Sequence, residues 1–215
     1  MIISSAPHDE RYRLTNLLAS YGIKDPVLSA FDNTPREIFV DKKYLAYAYE
    51  DRALPTLLGQ TISQPSLVAL TLQVLSLKPT DVVLEIGTGS GFQTALFSCI
   101  VKKVYSIERL PELAKIAESR LKRLRNTEVI TGDGSLGWQK GAPYDAIIVT
   151  AAFTQVPDPL VAQLKTGGKL IMPIGKEEWQ ELMLYQKLND GLVALRKISD
   201  VHFVPFFGKY AYKNP

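Results

Sequence analysis

The sequence predicts an α/β protein with a doubly wound, largely parallel sheet of seven strands, helices on both faces and a helical extension at the N-terminus. An apolar run at 82–86 leads directly into a turn with glycines at alternate positions, Gly87, Gly89 and Gly91, followed by an apolar segment of helical spacing. Strand-like and helix-like segments then alternate along the chain. Asn189-Asp190-Gly191 joins two further strands and is a strong hairpin signal, which places an antiparallel pair at one sheet edge.

Residues 1–78 are predicted to form a helical cap region. Capping residues, prolines and apolar spacing predict its helices at 9–21, after Asp25-Pro26, after a Thr34 cap with Pro35 at the first position, and at 66–77. Between the last two lies a polar stretch at 53–65, which contains the loop 59–65. Polar hydroxyl and amide groups bunched in a loop serve either a turn or a ligand surface, and the loop by itself does not decide between them.

Residues 79–200 are predicted to form the core, and 201–215 a closing tail, all in one compact unit. The strands of the core are expected at 81–86, 103–107, 128–131, 144–150, 169–173, 181–188 and 192–200. Its helices are expected at 92–101, from Pro111 onward and at 156–164, the last opened by Pro157.

The composition is that of an ordinary globular protein. A length of 215 residues suits one large domain, and 46% hydrophobic and 22% charged residues suit a soluble chain with a full core. The net charge of +3 gives no strong reason to expect nucleic acid. The single cysteine, Cys99, is expected in the core; it excludes internal disulfides and fits a reducing compartment. The sequence shows no secretory signal and no apolar run long enough for a membrane span, so a cytoplasmic location is expected.

Three acidic residues fall at the ends of successive strands, where doubly wound sheets bind ligands: Glu85, Glu108 and Asp133. Glu108 follows Gly87 by 21 positions, a distance at which a carboxylate can accept both hydroxyls of a ribose. Asp133 can accept from the amino group of adenine, and Glu85 beside the glycine turn can face an ammonium group. The G-x-G-x-G spacing does not provide the usual cradle for a diphosphate. Together these features predict S-adenosylmethionine as the cofactor.

The remaining chemistry favours a carboxylate as the methyl acceptor. The sequence has no metal-ligand cluster and no nucleophile motif, and its two histidines, His8 and His202, lie far apart, so no metal is expected. A carboxylate has a pKa near ~4 and is already an anion at neutral pH, so a hydroxyl that orients it suffices, and Ser63 is the candidate. The residues leave open a methyltransferase for RNA or a small molecule, and a non-catalytic S-adenosylmethionine-binding module that recognises damaged protein.

Motifs along nearly the whole chain resemble the protein-L-isoaspartate O-methyltransferase family. The matching segments are Thr34-Pro35-Arg36-Glu37-Ile38-Phe39-Val40, Gly59-Gln60-Thr61-Ile62-Ser63-Gln64-Pro65, 83–91, 104–109, 132–134, 144–152 and Phe203-Val204-Pro205. The resemblance implies the Rossmann-like fold of class I methyltransferases. It also implies methyl esterification of the free α-carboxylate of L-isoaspartyl residues, followed by closure to a succinimide and partial conversion to aspartate. The glycine turn alone would mark only the methyltransferase superfamily, whereas the loop around Ser63 is far more specific.

The resemblance also implies roles for single residues. Ser63 matches the active-site serine, and the peptide is expected to contact Ile62, Ser63 and Val204. Residues expected to bind S-adenosylmethionine, or its product S-adenosylhomocysteine, are Gln60, Thr61, Ile62, Glu85, Gly87, Gly89, Gly91, Glu108, Arg109, Asp133 and Gly134. Isoaspartyl peptides and proteins are the expected partners, without nucleic acid or membrane, and a monomer is the default expectation. Two departures from the family pattern are Phe92 in place of a tyrosine and the Phe206-Phe207 pair in the tail.

Overall fold

The structure is a computed structural model that describes residues 8–176 and 178–213. In these ranges the six α-helices are α1 (His8–Ser20), α2 (Val27–Asn33), α3 (Pro65–Leu75), α4 (Phe92–Ser98), α5 (Pro111–Leu121) and α6 (Asp158–Gln163). The nine strands are β1 (Leu54–Pro55), β2 (Thr61–Ile62), β3 (Val82–Ile86), β4 (Lys103–Glu108), β5 (Thr127–Thr131), β6 (Tyr144–Val149), β7 (Leu164–Lys176), β8 (Trp179–Leu188) and β9 (Gly191–Val201).

The last seven strands form one sheet in the order β5-β4-β3-β6-β7-β8-β9. The first five in that order run parallel, and β8 and β9 continue the sheet as antiparallel strands at its edge, which confirms the predicted fold class and settles the order of the last two strands. β3 lies between β4 and β6, so the strand order reverses beside it. In open α/β sheets this switch point opens a crevice at the carboxyl ends of the strands.

Two apolar clusters cover the two faces of the sheet. Val83 belongs to the cluster that also contains residues of α1 to α5, whereas Leu84 belongs to the cluster that contains residues of α6 and the tail. Alternate side chains of β3 therefore point to opposite faces, and both faces are buried, as a parallel sheet requires. No helix in the part of the chain that the structure describes is long and apolar enough to cross a membrane.

The expected position of Cys99 in the core is wrong. The helix predicted to run to residue 101 ends at Ser98, and Cys99 is its exposed C-cap residue. The side-chain amide of Asn126 donates to the carbonyls of Ser98 (2.9 Å) and Val101 (3.0 Å), which satisfies free acceptors at this helix end. The sequence near Cys99 does not indicate that Asn126, far along the chain, caps this helix end.

The expected helix after a Thr34 cap is also wrong. Thr34 is the C-cap residue of α2, and its side chain caps no following helix. Pro35 has an extended ψ of 109°, and only a single 3₁₀ turn follows, Arg36–Ile38. The Arg36 side chain is buried against carbonyls of distant loops, as described below, and tertiary contacts at this position override the local helical signal.

Candidate active site

A crevice of about 990 Å³ opens at the switch point between β3, β4 and β6. The parts of the chain that meet around it are residues 60–64 of the cap region, 87–90 of the glycine turn, 108–110, 150–151 and 201–207. The cap, core and tail predicted from the sequence thus each contribute to one cavity.

The glycine turn is held rigidly by the end of β6. Gly87 has a φ of +95°, and a Cβ added to it would lie 2.1 Å from Thr150 Oγ1. The Thr150 hydroxyl donates to the carbonyl of Gly87 at 3.0 Å, so no side chain fits between them. Gly89 has a φ of +54°, and nothing lies within 4 Å of the Cβ that it lacks. Its backbone therefore faces open cavity, where a ligand can approach closely.

Glu85 is a fully buried carboxylate, and only one of its two oxygens makes hydrogen bonds of normal geometry to described residues. Oε2 accepts hydrogen bonds from the hydroxyls of Thr94 and Ser106 (2.7 Å to the latter), whereas Oε1 has no hydrogen-bond partner among the described residues. The side chain lines the crevice. Burial raises the pKa of Glu85 to about 7, and the neighbouring charge of Glu108 adds to this. The hydroxyls of Ser106 and Thr94 and the side-chain amide of Gln93 oppose the shift. A cationic donor at Oε1 would therefore be strongly favoured.

Glu108 is anchored by two backbone amides. Oε2 accepts from the amide of Gly89 at 2.9 Å, and Oε1 accepts from the amide of Leu110 at 3.0 Å. Its carboxylate lines the crevice, and each oxygen retains a lone pair, so it can accept further hydrogen bonds from vicinal hydroxyls. The next residue, Arg109, places its guanidinium over the ring of Phe207 at 5.1 Å from the ring centroid and also lines the crevice.

The structure does not place every predicted cofactor residue on the cavity wall. Gly134 lies on the wall, and a Cβ there would come within 2.3 Å of Ile86 Cγ2. Asp133 does not line the cavity. Its Oδ1 accepts from the amide and hydroxyl of Ser135 (2.9 and 2.7 Å), and its Oδ2 accepts from the amide of Lys209 at 2.7 Å. An adenine contact through Asp133 therefore stays a prediction. In the structure, the Asp133 carboxylate binds the backbone of the tail at Lys209.

Gly91 also stands behind the wall. It is the N-cap residue of α4 with a φ of +87°, and a Cβ there would lie 3.3 Å from Leu121. Its observed contribution is close packing of the turn against α5.

The loop around Ser63 forms the facing wall. Gln60, Thr61, Ile62 and Ser63 all line the crevice, where β1 and β2 pair through only two residue pairs. The Ser63 hydroxyl makes no hydrogen bond to any residue that the structure describes, so it is available to a ligand. The Ser63 carbonyl, by contrast, accepts from the Arg36 guanidinium at 3.0 Å.

Arg36 is a functional residue that the sequence analysis missed. Only 1% exposed, it also donates to the carbonyls of Ala48 (2.6 Å) and Arg52 (3.1 Å), and thereby ties three separate segments together. Burial lowers its pKa to about 10, so it stays charged at neutral pH. The available signal was that Arg36 belongs to the segment 34–40, which resembles the family, but this resemblance does not reveal the three carbonyls that Arg36 contacts.

Asp51 fixes the far side of the same loop. Its Oδ2 accepts from Gln64 Nε2 at 3.1 Å, and its Oδ1 accepts from the amide of Ser66 at 2.8 Å in the first turn of α3. The Ser63 backbone is therefore held between two buried or half-buried charges.

The tail runs beside the segment that follows β6 and pairs with it at Ala152. The Val204 carbonyl accepts from the amide of Ala152, and the Phe206 amide donates to the Ala152 carbonyl, both at 2.8 Å. The Gln180 side chain bonds both the amide (2.6 Å) and the carbonyl (3.0 Å) of Phe203. Phe206 is buried in the core beneath the tail. These contacts place Val204 on the crevice wall together with Ile62 and Ser63.

Comparison with known proteins shows the family to which the chain belongs. The model of the family described as protein-L-isoaspartate (D-aspartate) O-methyltransferase matches residues 10–211. A protein-L-isoaspartate O-methyltransferase of Pyrococcus horikoshii is 47% identical over 208 residues, which cover 94% of this chain and 94% of that protein. One of Dictyoglomus turgidum is 47% identical over 208 residues, which cover 95% of this chain and 94% of that protein.

Solved structures give the same answer. A protein-L-isoaspartate O-methyltransferase structure matches with a TM-score of 0.87 and 34% identity over 94% of this chain and 67% of the other. A Plasmodium falciparum candidate for the same enzyme, solved in complex with S-adenosyl-L-homocysteine, matches with a TM-score of 0.79 and 25% identity over 92% of this chain and 98% of the other. The chain belongs to the protein-L-isoaspartate (D-aspartate) O-methyltransferase family.

Proposed function

We propose that this protein methylates the free α-carboxylate of L-isoaspartyl residues in peptides and damaged proteins, with S-adenosylmethionine as methyl donor and S-adenosylhomocysteine as product. The resulting ester begins repair by closing to a succinimide. The observation that carries the proposal is that one crevice joins the wall of Glu85, Glu108 and the glycine turn to the free hydroxyl of Ser63. Membership of the family supports the same reaction.

The residues of the crevice fit S-adenosylmethionine. The unpartnered Oε1 of buried Glu85 suits the ammonium of its amino acid part, since a cation there offsets the burial of the carboxylate. The anchored Glu108 carboxylate suits the ribose hydroxyls, and the bare backbone at Gly89 leaves room beside them. When bound, the cofactor supplies a methyl group on a positively charged sulfur, and its transfer to a carboxylate oxygen leaves a neutral thioether and a neutral ester.

The acceptor side needs positioning rather than a base. The isoaspartyl carboxylate is ionised at neutral pH, with a pKa near ~4, so no proton has to be removed. The Ser63 hydroxyl donates to it and sets its orientation, while Arg36 and Asp51 hold the loop that carries Ser63. Ile62 and Val204 flank the peptide and exclude water, which strengthens the attraction between the two opposite charges.

This proposal gives each predicted residue a role. Ser63 is the catalytic residue, and Ile62, Ser63 and Val204 bind the peptide. The cofactor is assigned to Gln60, Thr61, Ile62, Glu85, Gly87, Gly89, Gly91, Glu108, Arg109, Asp133 and Gly134, of which Gly91 acts by packing and Asp133 through the tail. Residues 1–78 supply the loop, 79–200 the cofactor wall and 201–215 the peptide-contacting tail. We further infer a cytoplasmic location, which the use of a single cysteine favours.

The test is methyl transfer to two peptides that differ only in one residue, isoaspartate or aspartate. The proposal predicts transfer of the methyl group to the isoaspartyl peptide and none to its aspartyl twin. Equal transfer to both would contradict it. Binding of S-adenosylhomocysteine without any turnover on either peptide would instead favour a non-catalytic module.

A further inference from the structure

Gln93 presents a buried amide donor that makes no hydrogen bond of normal geometry to any described residue, although the Glu85 carboxylate lies beside it. It is the second residue of α4, directly after the glycine turn and Phe92. Its Nε2 atom is buried without a hydrogen-bond partner among the described residues, although nearly all buried polar groups in native proteins are paired. The Gln93 side chain is also one of those that line the 990 Å³ crevice.

Gln93 lies between the cofactor side and the acceptor side of the crevice. On the cofactor side its amide is near enough to lower the pKa of Glu85, but Nε2 and Oε1 do not form a hydrogen bond of normal geometry. On the acceptor side, Gln93 and Ser63 both border a second cavity of about 10 Å³, together with Thr150 and Phe203. This cavity is too small for a ligand, but it shows that the two side chains lie near each other. Among the described residues, neither Glu85 nor the glycine turn borders that second cavity.

Ser63 and Gln93 approach this space from different elements. Ser63 is on the loop after β2, and Gln93 is on α4. A carboxylate held by a single donor can still rotate, whereas two donors from different directions fix its plane. A neutral amide suits this task because it orients the anion and leaves its negative charge in place for the reaction.

We propose that Gln93 is a second binding residue for the acceptor. Its Nε2 donates to one oxygen of the isoaspartyl α-carboxylate, and the other oxygen is left facing the methyl group. This inference rests on the proposed function, because the acceptor is taken to be a carboxylate. It adds a specificity element, since a neutral acceptor such as the amide of an asparagine would not gain a charge-assisted hydrogen bond from Gln93.

The test uses Gln93→Met and Gln93→Glu, with kinetics on the isoaspartyl peptide and calorimetry with S-adenosylhomocysteine. Gln93→Met keeps the length of the side chain and removes the donor. Its kcat/KM should fall about tenfold to a hundredfold, because one hydrogen bond to a charged group is lost. The kcat/KM of Gln93→Glu should fall further because the new carboxylate repels the acceptor. Urea denaturation of this variant checks that a second carboxylate beside buried Glu85 has not unfolded the protein. S-adenosylhomocysteine affinity should stay unchanged in Gln93→Met when it is measured well above the pKa of Glu85, where loss of the amide does not change the charge of that carboxylate.

Gln139→Met, a substitution of an exposed glutamine outside the crevice, is the matched control and should behave as wild type. Wild-type kcat/KM in both Gln93 variants would overturn the inference. So would weaker S-adenosylhomocysteine binding by Gln93→Met with normal peptide kinetics at saturating cofactor, because Gln93 would then belong to the cofactor. Failure of the unchanged protein to methylate any isoaspartyl peptide would refute the proposed function itself, and this result is read before any variant is compared.

Discussion

At the scale of the residue, Glu85 and Ser63 suit ligands of opposite charge. Glu85 is buried with one oxygen bonded to hydroxyls, and its other oxygen makes no hydrogen bond of normal geometry to a described residue, which an anion tolerates poorly. The Ser63 carbonyl is fixed by Arg36, and the Ser63 hydroxyl makes no hydrogen bond within the described part of the chain. The first arrangement attracts a cation, and the second orients an anion. A sulfonium cofactor with an amino acid tail and a carboxylate acceptor satisfy both.

The raised pKa of Glu85 predicts a pH-dependent affinity for the cofactor. Because the group has a pKa of about 7 in the free protein, protonation below that pH removes the charge that attracts an ammonium, so affinity should fall as the pH decreases. Calorimetry with S-adenosylhomocysteine from about pH 5.5 to about pH 8 measures this. The Glu85→Gln variant should bind S-adenosylhomocysteine more weakly, and its affinity should not change with pH over this range. A flat wild-type profile would remove Glu85 from the ammonium site.

The raised pKa of Glu85 also makes the stability of the folded protein depend on pH. The folded protein keeps a proton on Glu85 that the unfolded chain releases between about 4.5 and about 7. The contribution of Glu85 to the free energy of unfolding is therefore greatest below this window and decreases as the pH rises through it. Cofactor binding, which favours the ionised form, should offset that decrease.

Ser63→Ala should reduce turnover more than cofactor binding. Loss of one hydrogen bond to a charged acceptor lowers kcat/KM by about tenfold to a hundredfold, whereas S-adenosylhomocysteine affinity should hardly change. Steady-state kinetics on the isoaspartyl peptide and calorimetry give the two values. Ser20→Ala, an exposed serine on α1, is the control. Full turnover by Ser63→Ala would exclude the serine from the mechanism.

At the scale of the element, charged side chains from other segments hold the loop around Ser63 in place. The hairpin of β1 and β2 has two residue pairs, too few to persist alone in water. Arg36 and Asp51 hold the loop through the Ser63 carbonyl and the Ser66 amide. On the opposite wall of the crevice, the side chains of Gln180 and Asp133 hold the tail in place. They accept hydrogen bonds from the backbone amides of Phe203 and Lys209. Both walls of the crevice are thus positioned by hydrogen bonds from buried or half-buried polar side chains.

Arg36→Lys should destabilise the protein and slow turnover together. A lysine keeps the charge but cannot reach all three carbonyls that the planar guanidinium contacts. The loss of one or two such hydrogen bonds should lower the free energy of unfolding by about 2–4 kcal/mol, as measured by urea denaturation. Arg125→Lys, at an exposed position, should change it by less than about 0.5 kcal/mol. Unchanged stability of Arg36→Lys would show that the three contacts do not anchor the loop.

At the scale of the whole molecule, local patterns predict the sheet and one wall of the site, but not the contacts between distant segments. Buried apolar runs and the glycines reveal β3 and its turn, and parallel strands necessarily bring Glu85 and Glu108 to one edge. The Asp133 contact to Lys209 joins residues 76 positions apart, and no local pattern encodes it. The role of Arg36 likewise depends on partners outside its own segment. Such contacts require the folded chain.

The central claim is that the methyl group goes to a carboxylate, which is why this crevice needs an orienting hydroxyl and no base. The direct measurement is the stability of the product formed from an isoaspartyl peptide and cofactor labelled in the methyl group. A methyl ester hydrolyses in mild alkali and releases the label as volatile methanol, and this is the predicted result. Label that stays on the peptide after alkali would place it on nitrogen or carbon and contradict the account.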